Sequence, residues 1–214
     1  PAGSPRSHLQ LTMNTIAGGE AAVQTFLYGD RPFSVLAGAV PAFNELRWEV
    51  NALLEAEMQG SYLVDGDDHQ FFGSLARAMD SGHFESRTRF IDQIQTSSLT
   101  LLDEMVDQVR RWSGRPVICS TFISRPDFAR FRTHVDGWDG LVVQLSGTKR
   151  WILTESETVV VVKPGDALLV RAGVPHHAEA VAGTSIHVRL AMLDDAITAK
   201  MLLGSTSSRP GDDR

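Results

Sequence analysis

The sequence predicts a mainly β domain, an antiparallel barrel or jelly roll, with helices on its N-terminal side. After Gly114 the apolar runs are short, are rich in Val, Ile, Thr and aromatic residues, and are separated by turn residues. Seven or eight runs at this spacing are typical of an antiparallel barrel or a jelly roll. Before Gly114 the apolar residues recur at three- and four-residue spacing, which indicates helices that cover one outer face of the barrel.

The individual elements follow from turn and cap residues. Asn44 is predicted to cap a helix that runs to about Met58, and a second helix is predicted from Phe90 to Trp112, ended by Gly114 and Pro116. The predicted strands are VICSTFIS, GLVVQLSG, KRWIL, TVVVV, DALLV, HAEAV and SIHVRLAML. Turns are expected at residues 146–148, 163–166 and 171–173, which contain Gly, Pro and Asp.

The length of 214 residues, with 43% apolar residues, fits a single domain with one buried core. Residues 1–20 and 204–214 lack periodicity and are expected to be flexible tails. The domain is then expected to span residues 21–203, with its helical part at about 41–113 and its barrel core at about 116–193.

Composition narrows the classes of function. A formal net charge of −6 argues against a nucleic-acid-binding protein that works through its overall charge. No run approaches the roughly 20 apolar residues of a membrane span, and the N-terminus lacks the layout of a secretory signal, so a cytoplasmic protein is expected. Cys119 is the only cysteine, so any metal must be held by His, Asp and Glu.

The segment FRTHVDGWDG contains the first candidate metal ligands. His134 and Asp136 are two residues apart at the predicted start of a strand, where alternate side chains point to the same side. An imidazole and a carboxylate on one face are two ligands of the two-His, one-carboxylate triad, which leaves positions on Fe(II) open for co-substrate and oxygen.

The third candidate ligand lies 40 residues after Asp136, in PGDALLVRAGVPHHAEAV. The two glycine turns and His176 have the spacing of the second metal motif of the cupin superfamily, with Arg171 in place of the usual Pro and Ala180 in place of the usual Asn. His177 is expected to point to the opposite face of the strand and to lie at the rim of the site on the substrate side.

An oxygenase that uses 2-oxoglutarate needs a cation for the distal carboxylate of this co-substrate, because a buried carboxylate is costly unless it is paired. Lys149 shares a strand face with large apolar residues and is expected to point inward. Arg189 is the second candidate, on the same strand face as His187. The pattern leaves the choice between Lys149 and Arg189 open.

The stretch HVDGWDGLVVQLSGTKRWIL resembles the JmjC-type, cupin-like ribosomal oxygenases, and weaker similarity extends to TFLYGDRPFSVLAGAV and SIHVRLAM. The resemblance implies a double-stranded β-helix in which His134, Asp136 and His176 bind Fe(II). It also implies that Lys149, thirteen residues after Asp136, binds 2-oxoglutarate, and that Ser120 on the preceding strand contacts this co-substrate.

The function expected from these residues is that of a dioxygenase that uses Fe(II), 2-oxoglutarate and O2 to hydroxylate an unactivated C–H bond. Its expected substrate is an amino-acid side chain in a protein, a peptide or an amino-acid-derived metabolite, with Trp138, His177 and His187 as candidates on the substrate side. Two alternatives stay open: a metal-dependent cupin enzyme that does not use 2-oxoglutarate, and a non-catalytic cupin-fold binding protein. The oligomeric state is open as well, with a homodimer among the options.

Overall fold

The computed structural model describes residues 15–55, 61–65, 68–71, 88–91, 100–127, 131–154 and 157–194. The helices in these ranges are α1 (Gly19–Tyr28), α2 (Phe43–Glu55) and α3 (Thr100–Ser113). The strands are β1 (Phe33–Leu36), β2 (Ser61–Asp65), β3 (Asp68–Phe71), β4 (Thr88–Ile91), β5 (Val117–Ser124), β6 (Asp139–Leu153), β7 (Thr158–Val162), β8 (Ala167–Val170) and β9 (His176–Met192). None of the helices in the described ranges is long and apolar enough to cross a membrane.

All described strand pairs are antiparallel. They form one sheet in the order β1-β8-β6-β9-β5-β4-β2-β3, and β7 pairs with β6 outside this path. β6 pairs with β8 near its start and with β7 near its end, so it passes from one part of the barrel wall to another, and β9 runs beside it for most of its length. The predicted mainly β, double-stranded β-helix architecture with N-terminal helices is confirmed.

Two pairs of predicted strands are each one continuous strand. GLVVQLSG and KRWIL together form β6, and HAEAV and SIHVRLAML together form β9. The turn expected at residues 146–148 is a series of register shifts between β6 and β9. Gly147 at this bulge has a left-handed φ of 63°, and Gly183 on β9 has a φ of 66°, so the two strands bend together without ending.

The predicted helix from Phe90 to Trp112 is wrong in its first part. Phe90 lies in β4, where it pairs with Phe122 of β5, and the centres of the two rings are 4.6 Å apart; the described helix that follows is Thr100–Ser113. A short apolar run does not distinguish a strand from a helix, and here cross-strand packing decides. The expected helical part at 41–113 therefore also holds β2, β3 and β4.

The N-terminal part of the domain also departs from expectation. Ile16 lies within the expected tail, yet its side chain is only 1% exposed and belongs to the core. α1 follows at Gly19. The second predicted helix begins at Phe43, so Asn44 lies in its first turn instead of capping it, and the predicted end at Met58 falls outside the described residues.

The sheet separates two apolar clusters, because side chains alternate along each strand. Val143 of β6 points into the larger cluster, where the three helices pack on the sheet. Its neighbour Val142 points into a smaller cluster with Trp151 and Leu153. The candidate ligand His176 lies on this second side, since its ring contacts the ring of Trp151 at 5.5 Å. The helices therefore pack on one face of the sheet, and the candidate ligand His176 lies on the other face, inside the barrel.

Gly147→Ala tests the bulge that connects the two halves of β6. A Cβ at Gly147 would lie 2.6 Å from the backbone oxygen of Thr184, whereas Gly38 has a similar φ of 61° and open space around it. Gly38→Ala is expected to cost only the roughly 1–2 kcal/mol of a left-handed residue with a Cβ. Gly147→Ala is expected to lower the free energy of unfolding by clearly more, as measured by urea denaturation. Equal losses in the two variants would contradict the close packing described here.

Candidate metal centre

Three side chains from two separate segments converge at one end of the barrel. One ligand atom each from His134, Asp136 and His176 lies within 4.8 Å of the others. Nε2 of His134 is 3.9 Å from Oδ1 of Asp136, and Nε2 of His176 is 3.8 Å from Oδ2. Two imidazole nitrogens and a carboxylate at these separations match the donor set of a non-haem Fe(II) site.

Backbone pairing brings the two segments together. His134 and His176 form an isolated antiparallel bridge, in which each amide N–H donates to the other residue's carbonyl oxygen, at 3.0 and 2.9 Å. The amide of Gly173 donates to the carbonyl of Asp136 at 2.8 Å. His134 therefore precedes β6 in an extended loop instead of starting a strand, but the expected convergence of His134 and Asp136 on one side holds.

Both histidines are held in the tautomer that metal binding needs. Nδ1 of His134 is 2.9 Å from the carbonyl oxygen of Arg132, and Nδ1 of His176 is 2.8 Å from that of Val174. A carbonyl only accepts, so each Nδ1 carries the proton and each Nε2 keeps a free lone pair that faces Asp136. Burial lowers the pKa of His176, which also favours its neutral form.

Arg189 is the immediate partner of the central carboxylate. Its Nη1 donates to Oδ2 of Asp136 at 3.3 Å, from near the C-terminal end of β9. Hydrogen bonds from a neighbouring group to a ligating carboxylate orient it and are part of many metal sites. Arg189 thus lies next to the metal ligands, and its charge is already matched by Asp136.

The three candidate ligands line a cavity of about 370 Å³. This size falls within the usual range for small-molecule sites. Among the described residues its lining contains five aromatic side chains, three cations, one carboxylate, three histidines and three small side chains, namely Phe90, Phe122, Phe131, Trp138, Trp151, Arg132, Lys149, Arg189, Asp136, His134, His176, His187, Thr88, Thr133 and Ala178. The candidate metal ligands, a buried lysine and several aromatic rings therefore line the same cavity.

Lys149 points into the barrel, as its strand neighbours predicted. Its side chain is only 4% exposed, and its Nζ lies 3.3 Å from Oγ of Ser124 and 3.3 Å from Nδ1 of His187. Burial lowers the pKa of Lys149 to about 7. In the described part of the chain, no carboxylate forms an ion pair with this ammonium group.

His187 is a fixed, neutral neighbour of Lys149. Burial lowers the pKa of His187 well below its usual value, and the charges of Lys149 and Arg189 lower it further. Its ring stacks on the ring of Phe122 at 4.8 Å, with 3° between the planes. The ammonium group of Lys149 therefore donates to Nδ1 of His187, which fixes the direction of the lysine.

The other predicted site residues divide between the cavity and its surroundings. Trp138 lines the cavity, whereas His177 does not and instead contacts Oγ1 of Thr133 at 3.0 Å. Ser120 is buried opposite Arg189 on β9 and is not among the described lining residues. The β5 hydroxyl beside Lys149 belongs to Ser124, four residues later on the same strand face, and sequence reasoning missed it.

Comparison with known proteins agrees with this geometry. The family model of the JmjC domain matches residues 89–160, which include His134, Asp136 and Lys149. This segment is therefore similar to the JmjC domain. No curated protein matches the chain by sequence.

Solved structures with the same fold include a ribosomal oxygenase and a prolyl-4-hydroxylase. The ribosomal oxygenase YcfD from Escherichia coli is 17% identical with a TM-score of 0.60, over 89% of this chain and 59% of that one. Its complex with cobalt and 2-oxoglutarate gives a TM-score of 0.54 at 18% identity, over 88% of this chain and 59% of that one. A Pseudomonas putida prolyl-4-hydroxylase is 18% identical with a TM-score of 0.54, over 82% of this chain and 99% of that one.

These similarities to solved structures establish the fold. The chain spans only 59% of the length of the first YcfD structure. Conclusions about chemistry therefore depend on the residues of this chain.

Proposed function

We propose that the protein is a non-haem dioxygenase that uses Fe(II), 2-oxoglutarate and O2 to hydroxylate an unactivated C–H bond. The observation that carries this proposal is the presence, in one cavity, of the His134–Asp136–His176 cluster and the buried, carboxylate-free ammonium group of Lys149. The His134–Asp136–His176 cluster is a donor set for Fe(II). The ammonium group of Lys149 can pair with one carboxylate of a dicarboxylate whose other end binds the metal.

The three candidate ligands would hold the metal on one side and leave its other positions to co-substrate and oxygen. When bound, Fe(II) would activate O2 as the oxidant of the C–H bond, with 2-oxoglutarate as the two-electron co-reductant, and the protein would supply positioning and exclusion of water. The carbonyl oxygens of Arg132 and Val174 keep the two imidazoles turned towards Asp136. The aromatic lining keeps the cavity apolar around the metal.

Lys149, and not Arg189, is the proposed partner for the distal carboxylate of 2-oxoglutarate. Arg189 already pairs with Asp136, whereas Lys149 contacts only the neutral groups of Ser124 and His187 within the described residues. A buried cation without a counter-ion is costly, and a bound carboxylate relieves that cost. A buried lysine of this kind favours an enzyme that binds 2-oxoglutarate over a cupin enzyme that does not use this co-substrate.

The substrate class follows by analogy only. The solved relatives are described as a ribosomal oxygenase and a prolyl-4-hydroxylase. We propose accordingly that the hydroxylated group is an amino-acid side chain in a protein, a peptide or an amino-acid-derived metabolite.

Asp136→Ala is expected to abolish both Fe(II) binding and 2-oxoglutarate turnover, because it removes the carboxylate between the two imidazoles. Anaerobic Fe(II) titration and succinate release measure the two effects. The matched control is Asp127→Ala, which removes an exposed carboxylate that pairs with Arg125. Full activity of Asp136→Ala would disprove the ligand assignment.

Lys149→Ala and Arg189→Met are expected to weaken the binding of two different ligands. Loss of Lys149 should weaken 2-oxoglutarate binding by about 10- to 100-fold, the worth of a hydrogen bond to a charged group, and leave metal affinity nearly unchanged. Loss of Arg189 should weaken metal binding by about 10- to 100-fold, since it frees the ligating carboxylate. Isothermal titration with Mn(II) and then 2-oxoglutarate separates the two constants. The reverse result would make Arg189 the co-substrate cation.

Binding of 2-oxoglutarate is expected to weaken as pH rises above 7. Burial lowers the pKa of Lys149 to about 7, so the free protein loses the lysine charge above that pH and must take up a proton to bind the carboxylate. The dissociation constant should then rise about tenfold per pH unit between pH 7 and 9. Lys149→Arg is the control, since its guanidinium group stays charged and its affinity should not change over this range. A wild-type affinity that is constant from pH 7 to 9 would contradict the assignment.

A further inference from the structure

The segment HVDGWDG contains a second carboxylate, that of Asp139, three residues after the candidate ligand Asp136. Asp139 is the first residue of β6, is only 5% exposed and does not belong to the ligand cluster. Its Oδ1 accepts a hydrogen bond from the amide of Ala172 at 3.0 Å, and its Oδ2 pairs with Nη1 of Arg115 at 2.7 Å. This carboxylate therefore connects two other parts of the chain.

The β8–β9 turn, residues 171–175, contains Ala172 and makes two contacts with the candidate metal centre. The amide of Gly173 donates to the carbonyl oxygen of Asp136 at 2.8 Å. The carbonyl oxygen of Val174 accepts from Nδ1 of His176, also at 2.8 Å. The first bond places the backbone of the central carboxylate, and the second fixes the direction of an imidazole. The position of this turn therefore influences two of the three candidate ligands.

Two side-chain anchors hold the β8–β9 turn. At its start, the guanidinium group of Arg171 donates to the carbonyl oxygens of Gly29 and Arg31, at 2.8 and 3.1 Å. On the side of β6, the amide of Ala172 donates to Asp139. Ala172 directly precedes the glycine that binds the backbone of the central candidate ligand. The bond to Asp139 is therefore the closer of the two anchors to the metal centre along the chain.

Arg115 holds the Asp139 carboxylate from the other side. It lies between α3 and β5, and the Asp139 side chain that it contacts is only 6% exposed. A hydrogen bond between charged groups is roughly twice as strong as one between neutral groups. The ion pair thus fixes the carboxylate, whose other oxygen binds the β8–β9 turn.

From these contacts we infer, on the basis of the proposed function, that Asp139 is a positioning residue for the metal centre. Its carboxylate, held by Arg115, fixes the β8–β9 turn, and the turn in turn places Asp136 and orients His176. Asp139 acts through the turn and not as a ligand. Loss of groups that orient metal ligands typically weakens metal binding by about 10- to 100-fold. Because Asp139 lies one contact further out, its loss is expected to be at the lower end of that range.

Titration with Co(II), followed by its visible absorption bands, tests the inference in the full-length protein. Asp139→Ala is expected to raise the Co(II) dissociation constant by about tenfold and to change the shape of the bands, because the ligands are less firmly held. Val106→Ala is the control, since it removes apolar contacts of a residue of α3 that is only 1% exposed. This control should lower the free energy of unfolding and leave Co(II) binding unchanged. Wild-type Co(II) affinity and bands in Asp139→Ala would overturn the inference, whatever the stability of the variant.

Two further variants follow the proposed chain of contacts. Asp139→Asn keeps an oxygen that can accept from the amide of Ala172, so its Co(II) affinity should be closer to that of the wild type than to that of Asp139→Ala. Arg115→Met frees the carboxylate without a change in the turn, and it provides the test if Asp139→Ala does not fold. It should raise the Co(II) dissociation constant, whereas Arg110→Met, which removes an exposed ion pair with Asp107, should not. Equal constants in Arg115→Met and Arg110→Met would refute the anchoring role.

Failure of this inference can be distinguished from failure of the proposed function. The Co(II) titrations require neither 2-oxoglutarate nor O2. A wild-type protein that does not bind Co(II) would refute the proposed function and this inference with it. A wild-type protein that binds Co(II) and turns over 2-oxoglutarate, with equal Co(II) affinity in Asp139→Ala, would retain the proposed function and refute only the positioning role of Asp139.

Discussion

The pair of backbone hydrogen bonds between His134 and His176 is the constraint on which the candidate centre depends. It joins the loop before β6 to the first residue of β9, and it places two imidazoles on the same side of the chain with Asp136 between them. The bonds are made by backbone groups, so they do not depend on which side chains stand at these positions. The same fixed frame also holds Asp136, through the amide of Gly173. Backbone pairing of this kind preorganises the three candidate ligands.

The second half of the site depends on the register of β6 against β9. The shifts between Gln144 and Lys149 turn the end of β6 so that Lys149 reaches across the barrel towards β5 and β9. Ser124 and His187 meet it there and offer neutral acceptors. The bulge at Gly147 thus determines where Lys149 lies relative to the candidate metal ligands. The helices pack on the opposite face of the sheet.

The sequence predicts the parts of this protein that local patterns determine. The strand from Val117 to Ser124, the inward direction of Lys149 and the convergence of His134, Asp136 and His176 all follow from alternation and spacing, and the structure agrees on each. Contacts between segments that are distant in the sequence cannot be predicted from local patterns. The pairing of Arg189 with Asp136, the choice of Ser124 over Ser120 and the strand at Phe90 depend on cross-strand register, which no local pattern reveals. The sequence therefore indicates which side chains converge as candidate ligands, but it does not reveal the partner of either cation.

The most direct measurement is anaerobic addition of Fe(II) and 2-oxoglutarate to the protein, followed by visible spectroscopy. Chelation of iron by the keto acid produces a weak metal-to-ligand charge-transfer band. The proposed arrangement predicts this band in the wild-type protein and its loss in His176→Ala, which removes one of the ligands. Iron binding without the band would contradict the central claim, because the metal would then be held without 2-oxoglutarate as its partner.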